Sequence, residues 1–243
     1  IIGGFIIETF SWRWVFVLQA ALGMAAAIGV WSMTESLQIY NTERLNKVFA
    51  GYMRLVVNLR FLLLTLALSC LGIPFFAFIA VSSDIYISVL GYTERQYGYF
   101  FAANASAFML APLFFSKAAK RFKLKSLLPV SYIGVLLSSV PLLFSAIPQP
   151  FRLALPMWFL TFFFAFGRPP GNNLILEQVE FDAGSASSLM VFVFFMTGAC
   201  SMWFISLDWQ DPIMVLGTLG VITSAITLCS WLAIDRLLKL KMP

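Results

Sequence analysis

The residue best suited to chemistry in this sequence is Arg168, a cation inside the apolar stretch 153–176. A charged side chain in the middle of a membrane span is costly unless it pairs with another group or faces water. We therefore interpret Arg168 as a cavity or gate residue whose partner is a carboxylate elsewhere in the protein. The alternative is that its side chain snorkels to the membrane surface beside Glu177. That path is about 12 Å along a helix, which favours the cavity.

Amide and aromatic side chains are the other groups in the apolar stretches that could hold a ligand. Amides there usually face a bundle interior, where they orient a ligand or only bond neighbouring helices; they are Asn104, Asn172 and Asn173. Aromatic rings suit flat, lipophilic or cationic molecules, although most phenylalanines in a membrane helix simply face lipid. A large aromatic surface is offered by Phe75, Phe76, Phe78, Phe108, Phe192, Phe194 and Phe195. The ligand contacts predicted from it are Phe75, Phe78, Phe108, Phe192 and Phe195.

The sequence gives little support for metal binding, disulfide formation, enzymatic catalysis or nucleic-acid binding. The sequence has no histidine, and its three cysteines lie in apolar stretches where a thiol acts as a small hydrophobic side chain. We assign no disulfide, metal or other cofactor, and we find no nucleophile with a base that would indicate an enzyme. The net charge of +5 comes from cations in short loops, which predicts contact with anionic membrane lipids rather than with nucleic acid.

The composition predicts an all-α, polytopic membrane protein, because 60% of the 243 residues are hydrophobic and only 11% are charged. A membrane-spanning helix needs about 20 mostly apolar residues. Such stretches lie at 14–33, 61–83, 97–115, 126–147, 153–176, 184–207 and 212–234. The apolar residues 1–10 are too few to span a bilayer, so we expect them to continue a helix that begins upstream.

The stretch 116–125, SKAAKRFKLK, orients these spans, because it places five cations in ten positions between two apolar stretches. Lys and Arg collect in short cytoplasmic loops, so Lys120 and Arg121 mark the cytoplasmic side. The alternation of spans then places 12 cations inside and three outside, with the C-terminus in the cytoplasm.

Helical spacing of apolar residues also appears in the polar region 34–60, which carries three arginines and one lysine. This pattern predicts an amphipathic helix at the cytoplasmic surface. Two interpretations are open: a linker that packs against its own bundle, and a separate membrane-sensing element.

The six spans from residue 61 onward divide at Pro148 into two groups of three. Each group is predicted to open with a helix broken by proline, at Pro74 in one and at Pro169 and Pro170 in the other. The two opening helices run in opposite directions, as in the inverted repeats of secondary transporters. The alternative is that proline is simply commoner in membrane helices.

Several short motifs carry a resemblance to a known family. Gly3 and Gly4 precede SWRWVF at 11–16, and GYFFAAN and AGSASSL follow at 98–104 and 183–189. With these motifs the sequence resembles the drug:proton antiporters of the major facilitator superfamily, in particular the Bcr/CflA drug-resistance branch. The resemblance runs in pieces over nearly the whole chain.

The resemblance implies that the chain is the later part of a twelve-helix transporter. Residues 1–33 would be the end of the fifth helix and the sixth helix. Residues 34–60 would be the cytoplasmic linker and 61–243 the six-helix C-terminal half, while the N-terminal half would be missing.

Two parts of the chain would correspond to the family's gating motifs. Gly3 and Gly4 would be the last glycines of the fifth-helix motif G-P-x-x-G-G. The stretch 116–125 is similar to a second copy of the signature G-x(3)-D-R-x-G-R-K, in which Arg121 is kept and Lys120 replaces the aspartate. Because that acid is lost, we expect the loop to serve mainly in orientation and lipid contact.

The implied function is export of drugs or small amphiphilic molecules by alternating access, coupled to protons, in the inner membrane of a bacterium. The partners would be the small-molecule substrate, protons, membrane lipids and the missing N-terminal half, which would hold the main proton acceptor. The alternative is a truncated chain that does not transport, or a half-transporter that depends on a partner chain.

The resemblance also gives roles to the residues above. The predicted substrate contacts are Arg168, the three asparagines and the five selected phenylalanines. Positions predicted to serve gating or topology are Gly3, Gly4, Pro74, Lys120, Arg121, Pro169 and Pro170.

Overall fold

The computed structural model describes residues 2–33, 45–144, 148–179 and 183–238, and all regular secondary structure in these ranges is helical. The α-helices are α1 (Ile2–Thr9), α2 (Trp12–Trp31), α3 (Leu45–Val57), α4 (Leu59–Cys70), α5 (Ile73–Ser83), α6 (Glu94–Ala118), α7 (Leu124–Ser139), α8 (Phe151–Glu177), α9 (Ala183–Ile205) and α10 (Pro212–Leu238). A π-helical segment, Asp84–Val89, follows α5, and a short 3-10 helix, Val140–Leu143, follows α7.

Among the described residues, six helical segments are long and apolar enough to cross a membrane. They are Trp12–Trp31, Leu59–Val89, Glu94–Ala118, Ser126–Leu143, Ala183–Ile205 and Pro212–Ile234. Each overlaps one predicted span, and the all-α membrane fold is confirmed. The remaining predicted span, 153–176, lies within α8, whose 27 residues are long enough but include Arg168, two consecutive prolines and two asparagines that lower its hydropathy.

The break predicted at Pro74 is present between α4 and α5. The chain makes a turn at Leu71 and Gly72, and Pro74 stands in the first turn of α5, where its missing N–H costs least. Two hydroxyl groups bond backbone carbonyls on either side of this turn. Thr227 of α10 donates a 2.9 Å hydrogen bond to the Ala67 carbonyl, and a serine of α9 donates a 2.7 Å hydrogen bond to the Ile73 carbonyl. Neighbouring helices thus satisfy backbone groups near the break.

The second predicted break is wrong, because α8 continues through Pro169 and Pro170. Close packing on both sides holds the helix in place. A Cβ atom at Gly171 would lie 2.7 Å from a methyl carbon of Leu68 on α4, and one at Gly167 would overlap Ser131 on α7. Tertiary packing therefore outweighs the local effect of the prolines.

The helices from α4 to α10 form two triplets with matching contacts, if α4 and α5 are taken as one broken helix. The broken helix packs against α9 and α10, the second and third helices of the other triplet. In the same way α8 packs against α6 and α7, the second and third helices of the first triplet. This exchange of partners is the pattern expected of two triplets related by a two-fold axis.

The helices before α4 contact this bundle at two places. Gly4 lets α1 approach the start of α6 so closely that a Cβ atom there would lie 2.9 Å from the Glu94 carbonyl oxygen, whereas one at Gly3 would meet nothing within 4 Å. In α3, the hydroxyl of Tyr52 shares a 2.9 Å hydrogen bond with that of Ser188 on α9. The structure therefore favours the interpretation of α3 as a linker packed on the bundle.

Candidate functional site

Six phenylalanines from four helices form one continuous group, which we call the aromatic cluster: Phe75, Phe76, Phe108, Phe164, Phe194 and Phe195. Phe75 on α5 is central, with ring centroids 5.6 Å from Phe108 on α6 and 5.3 Å from Phe164 on α8. On α9, Phe194 lies 4.9 Å from Phe76 and 6.2 Å from Phe164. Such spacings are favourable for aromatic pairs.

Gly72, in the turn between α4 and α5, allows the cluster to form. A Cβ atom at this position would lie 2.7 Å from the Phe194 ring and 3.4 Å from the Phe164 ring. Gly198 allows α9 to pack closely on Phe76, because a Cβ atom there would lie 2.7 Å from the Phe76 ring. The rings of α8 and α9 thus pack directly on the helix break.

Arg168 joins the cluster through the face of an aromatic ring. Its guanidinium carbon lies 3.8 Å from the centroid of Phe194 and 5.9 Å from that of Phe164. A cation in this position is attracted by the ring, by about 2 kcal/mol when the pair is shielded from water. Within the described residues Arg168 makes no ion pair with a carboxylate, so the predicted carboxylate partner stays a prediction.

Polar side chains lie beside the aromatic contact between α6 and α8. Thr161 donates a hydrogen bond of 3.1 Å to the Oδ1 atom of buried Asn104. The Nδ2 group of Asn104 is also buried, but it has no hydrogen-bond partner among the described residues. One helical turn farther along, Phe108 faces Phe164 with ring centroids 6.3 Å apart. Arg168 follows one turn after Phe164 on α8, so donors flank the rings on both sides.

The other predicted contacts are not members of the aromatic cluster. Phe78 is buried against Phe101 at 6.4 Å, and Phe192 is 60% exposed. Asn172 is half-buried and Asn173 exposed, and neither side chain bonds a described residue. Of the gating and topology positions, Lys120 and Arg121 are exposed in the turn after α6, as the topology prediction requires of them.

Sequence reasoning missed part of the cluster. Phe164 stands in the run LTFFFAF, where nothing in the letters distinguishes the ring that faces the break. Phe76 and Phe194 belonged to the aromatic surface but not to the selected contacts. The usable signal was glycine: Gly72 and Gly198 mark the two places where a large ring lies against a helix backbone.

A second charged group, which the sequence did not reveal, ties three segments together at the start of α8. Arg152 is 6% exposed and donates a 2.7 Å hydrogen bond to the Asp211 carboxylate and a 3.2 Å bond to the Leu142 carbonyl. Asp211 also accepts from the backbone N–H groups of Ile213 and Met214 at the start of α10. Burial tends to raise the pKa of Asp211, but these hydrogen bonds and the Arg152 charge hold it below its ordinary value.

Comparison with known proteins identifies the relatives of this chain. The bicyclomycin resistance protein homolog of Haemophilus influenzae is 28% identical over 209 residues, which cover 82% of this chain and 51% of that protein. The chloramphenicol resistance protein CraA of Acinetobacter baumannii is 33% identical over 99 residues, or 40% of this chain and 24% of CraA. A multidrug resistance protein MdtD of Pectobacterium carotovorum, itself described as putative, is 32% identical over 94 residues, or 37% of this chain and 19% of MdtD.

The chain spans about half the length of the Haemophilus relative and less of the other two. Its similarity to drug-resistance proteins agrees with the resemblance carried by the sequence motifs. The Major Facilitator Superfamily profile matches residues 1–202 of the 243. Together with the membrane-spanning helices, this match establishes a multi-pass membrane protein of a transporter family, not an enzyme: the chain belongs to the Major Facilitator Superfamily.

Proposed function

We propose that the protein is a secondary active exporter of drugs or small amphiphilic molecules, and that the aromatic cluster with Arg168 is part of its substrate site. The relatives support the export of drugs, since their names describe resistance to chloramphenicol, to bicyclomycin and to multiple drugs. A membrane transporter gives such resistance by moving the drug out of the cell.

The main support for the site proposal is that Arg168 lies above the Phe194 ring, which packs against Gly72 at the helix break. Discontinuous helices flank the substrate sites of many secondary transporters. A largely apolar and aromatic surface with a few convergent polar groups is the usual lining of a small-molecule site.

Alternating access is supported by the origin of the cluster in both triplets. The helices α5 and α6 belong to the first triplet, and α8 and α9 belong to the second. A substrate site at the junction of inverted repeats is typical of transporters whose site opens to each side of the membrane in turn.

We place the protein in the inner membrane of a bacterium, with a cytoplasmic C-terminus and protons as the coupling ion. The three relatives are bacterial. Asp84 and Glu94 lie near the ends of candidate spans, and the central parts of those spans carry no carboxylate. We therefore assign the main proton acceptor to a part of the transporter that this chain does not contain.

Drug export by the full gene product tests this function. The gene is expressed in bacteria that lack their own exporters, and the efflux of chloramphenicol is measured before and after an uncoupler collapses the proton gradient. We expect efflux that stops with the gradient; efflux that continues would point to another energy source. Arg168→Ala should reduce export while the protein stays in the membrane, with Arg95→Ala, at the exposed start of α6, as the control. Unchanged export by the Arg168 variant would give this residue a structural role.

A further inference from the structure

We propose that the aromatic cluster selects its ligand by charge: it takes neutral or anionic aromatic molecules that carry hydrogen-bond acceptors, and it disfavours lipophilic cations. The proposal rests on the proposed function and specifies the substrate class of the same site. It replaces the expectation, drawn from phenylalanines alone, that cationic molecules would suit this surface.

A side chain of the protein already fills the place that a cationic ligand would take. The guanidinium of Arg168 lies 3.8 Å from the centre of the Phe194 ring. A ring attracts a cation through its negatively polarised face. A cationic ligand would therefore have to displace Arg168 from this face or bind beside it.

The charge of the lining helices also disfavours a cation. Between their ends, at residues 73–83, 96–116, 153–176 and 183–205, the four helices that form the cluster contain only one charged residue, Arg168. These four helices therefore contribute a net charge of +1 to the site. In a medium of low polarity two like charges about 5 Å apart repel strongly, whereas an anion at the same distance is attracted.

Hydrogen-bond donors are available beside the rings of the cluster. The Asn104 Nδ2 group is a buried donor without a partner among the described residues, and the Arg168 guanidinium offers further N–H donors. A ligand gains most here by bringing acceptors such as carboxylate, carbonyl or nitro oxygens. Leaving the amide donor of Asn104 unpaired is costly, so an acceptor that reaches it stabilises the complex.

The two donors are placed on either side of the rings along α8. Thr161, which holds Asn104, and Arg168 are seven residues apart on α8, or about 10 Å along a helix. The rings of Phe108 and Phe164 lie between the two donors. The complementary ligand is therefore an aromatic molecule that presents acceptors to these donors.

Binding of matched probes to the full-length protein tests this inference. The probes are biphenyl-4-carboxylate, its neutral amide and biphenyl-4-trimethylammonium, and binding is measured by calorimetry in lipid nanodiscs without net charge. We expect the cation to bind about tenfold or more weakly than the carboxylate. Salt should weaken binding of the carboxylate. The comparison of affinities and the salt dependence both use the unmodified protein, so neither depends on whether a variant folds.

Variants at Arg168 connect the preference to this residue. Arg168→Gln should bring the three affinities within a few-fold of one another, and Arg168→Lys should keep their order. Arg95→Gln is the control and should leave the order unchanged. Equal binding of cation and carboxylate by the unmodified protein, or an order that Arg168→Gln does not change, would overturn the charge preference while leaving the export proposal intact. If none of the three probes binds, the proposed ligand class is wrong, whereas the efflux of chloramphenicol still decides the export proposal.

Discussion

The guanidinium of Arg168 on α8 stacks on the ring of Phe194 on α9, with 3.8 Å between the guanidinium carbon and the ring centroid. The same ring packs against Gly72 in the break between α4 and α5. Phe194 therefore contacts three features at once: the cation of Arg168, the break between α4 and α5, and the other rings of the aromatic cluster. Substitutions at Phe194 and Gly72 affect these features separately.

Replacement of Phe194 by leucine should lower both export and stability. The substitution removes the face on which Arg168 rests and the contact with Phe76, at a cost of about 1–3 kcal/mol. Thermal unfolding in detergent and drug efflux would measure the two effects. Phe122→Leu, in the turn after α6, is the control, because Phe122 is 61% exposed, lies outside the cluster and should tolerate the change. Equal losses in the two variants would contradict the role given to Phe194.

Replacement of Gly72 by alanine should impair export by moving a ring. The added Cβ atom would lie 2.7 Å from the Phe194 ring, so that this ring, which Arg168 contacts, must shift. Gly23→Ala on α2 adds the same atom where nothing lies within 4 Å and serves as the control. Efflux assays at matched expression would compare the two variants. Full export by Gly72→Ala would show that the close packing at the break is not needed for function.

Several of these features were predictable from the sequence, because they follow from single residues or from one stretch. The spans follow from the length of apolar helix that a bilayer requires. The break at Pro74 follows from the N–H that proline lacks. The same rule failed at Pro169 and Pro170, since contacts of Gly167 and Gly171 with other helices keep α8 continuous there.

Partners distant in the sequence were not predictable in this way. Nothing near Arg168 indicates that its contact is Phe194, on the next helix, instead of a carboxylate. The pair of Arg152 and Asp211 joins residues 59 positions apart. A weak signal was present in the latter case, because Asp211 followed by Pro212 is a typical start of a helix. This signal does not reveal the packing that brings Arg152 within hydrogen-bonding distance of Asp211.

Loss of the Asp211 carboxylate should destabilise the protein in a pH-dependent manner. Asp211→Asn leaves the Arg152 charge buried and unpaired, at a cost of about 2–3 kcal/mol at neutral pH. The folded state lowers the pKa of Asp211, so its contribution is present above the ordinary carboxyl pKa and is lost as the pH falls through the lower, folded-state value.

Unfolding midpoints between pH 7 and pH 3 would measure this contribution. The variant should lose less stability on acidification than the unmodified protein does. Asp208→Asn, at an exposed position in the same loop, should behave like the unmodified protein. If the Asp211 and Asp208 variants follow the same pH curve, the ion pair does not stabilise the fold.

The orientation of the spans can be tested by labelling single cysteines from outside the cell. In a background where Cys70, Cys200 and Cys229 are replaced by serine, a membrane-impermeant reagent should label Gln149→Cys but not Lys120→Cys. The expectation follows from the collection of cations in cytoplasmic loops. The reverse pattern would overturn the proposed topology.

Photocrosslinking of a bound drug tests the central claim most directly, because it reports the place of binding independently of transport. An uncharged aromatic drug with a photoactivatable group is bound to the full-length protein, and the labelled peptides are identified by mass spectrometry with excess unmodified drug as the competitor. The account predicts competed labelling on α5, α6, α8 and α9 at the aromatic cluster, which Arg168→Ala reduces and Arg95→Ala does not. Competed labelling confined to other helices, with none at the cluster, would contradict it.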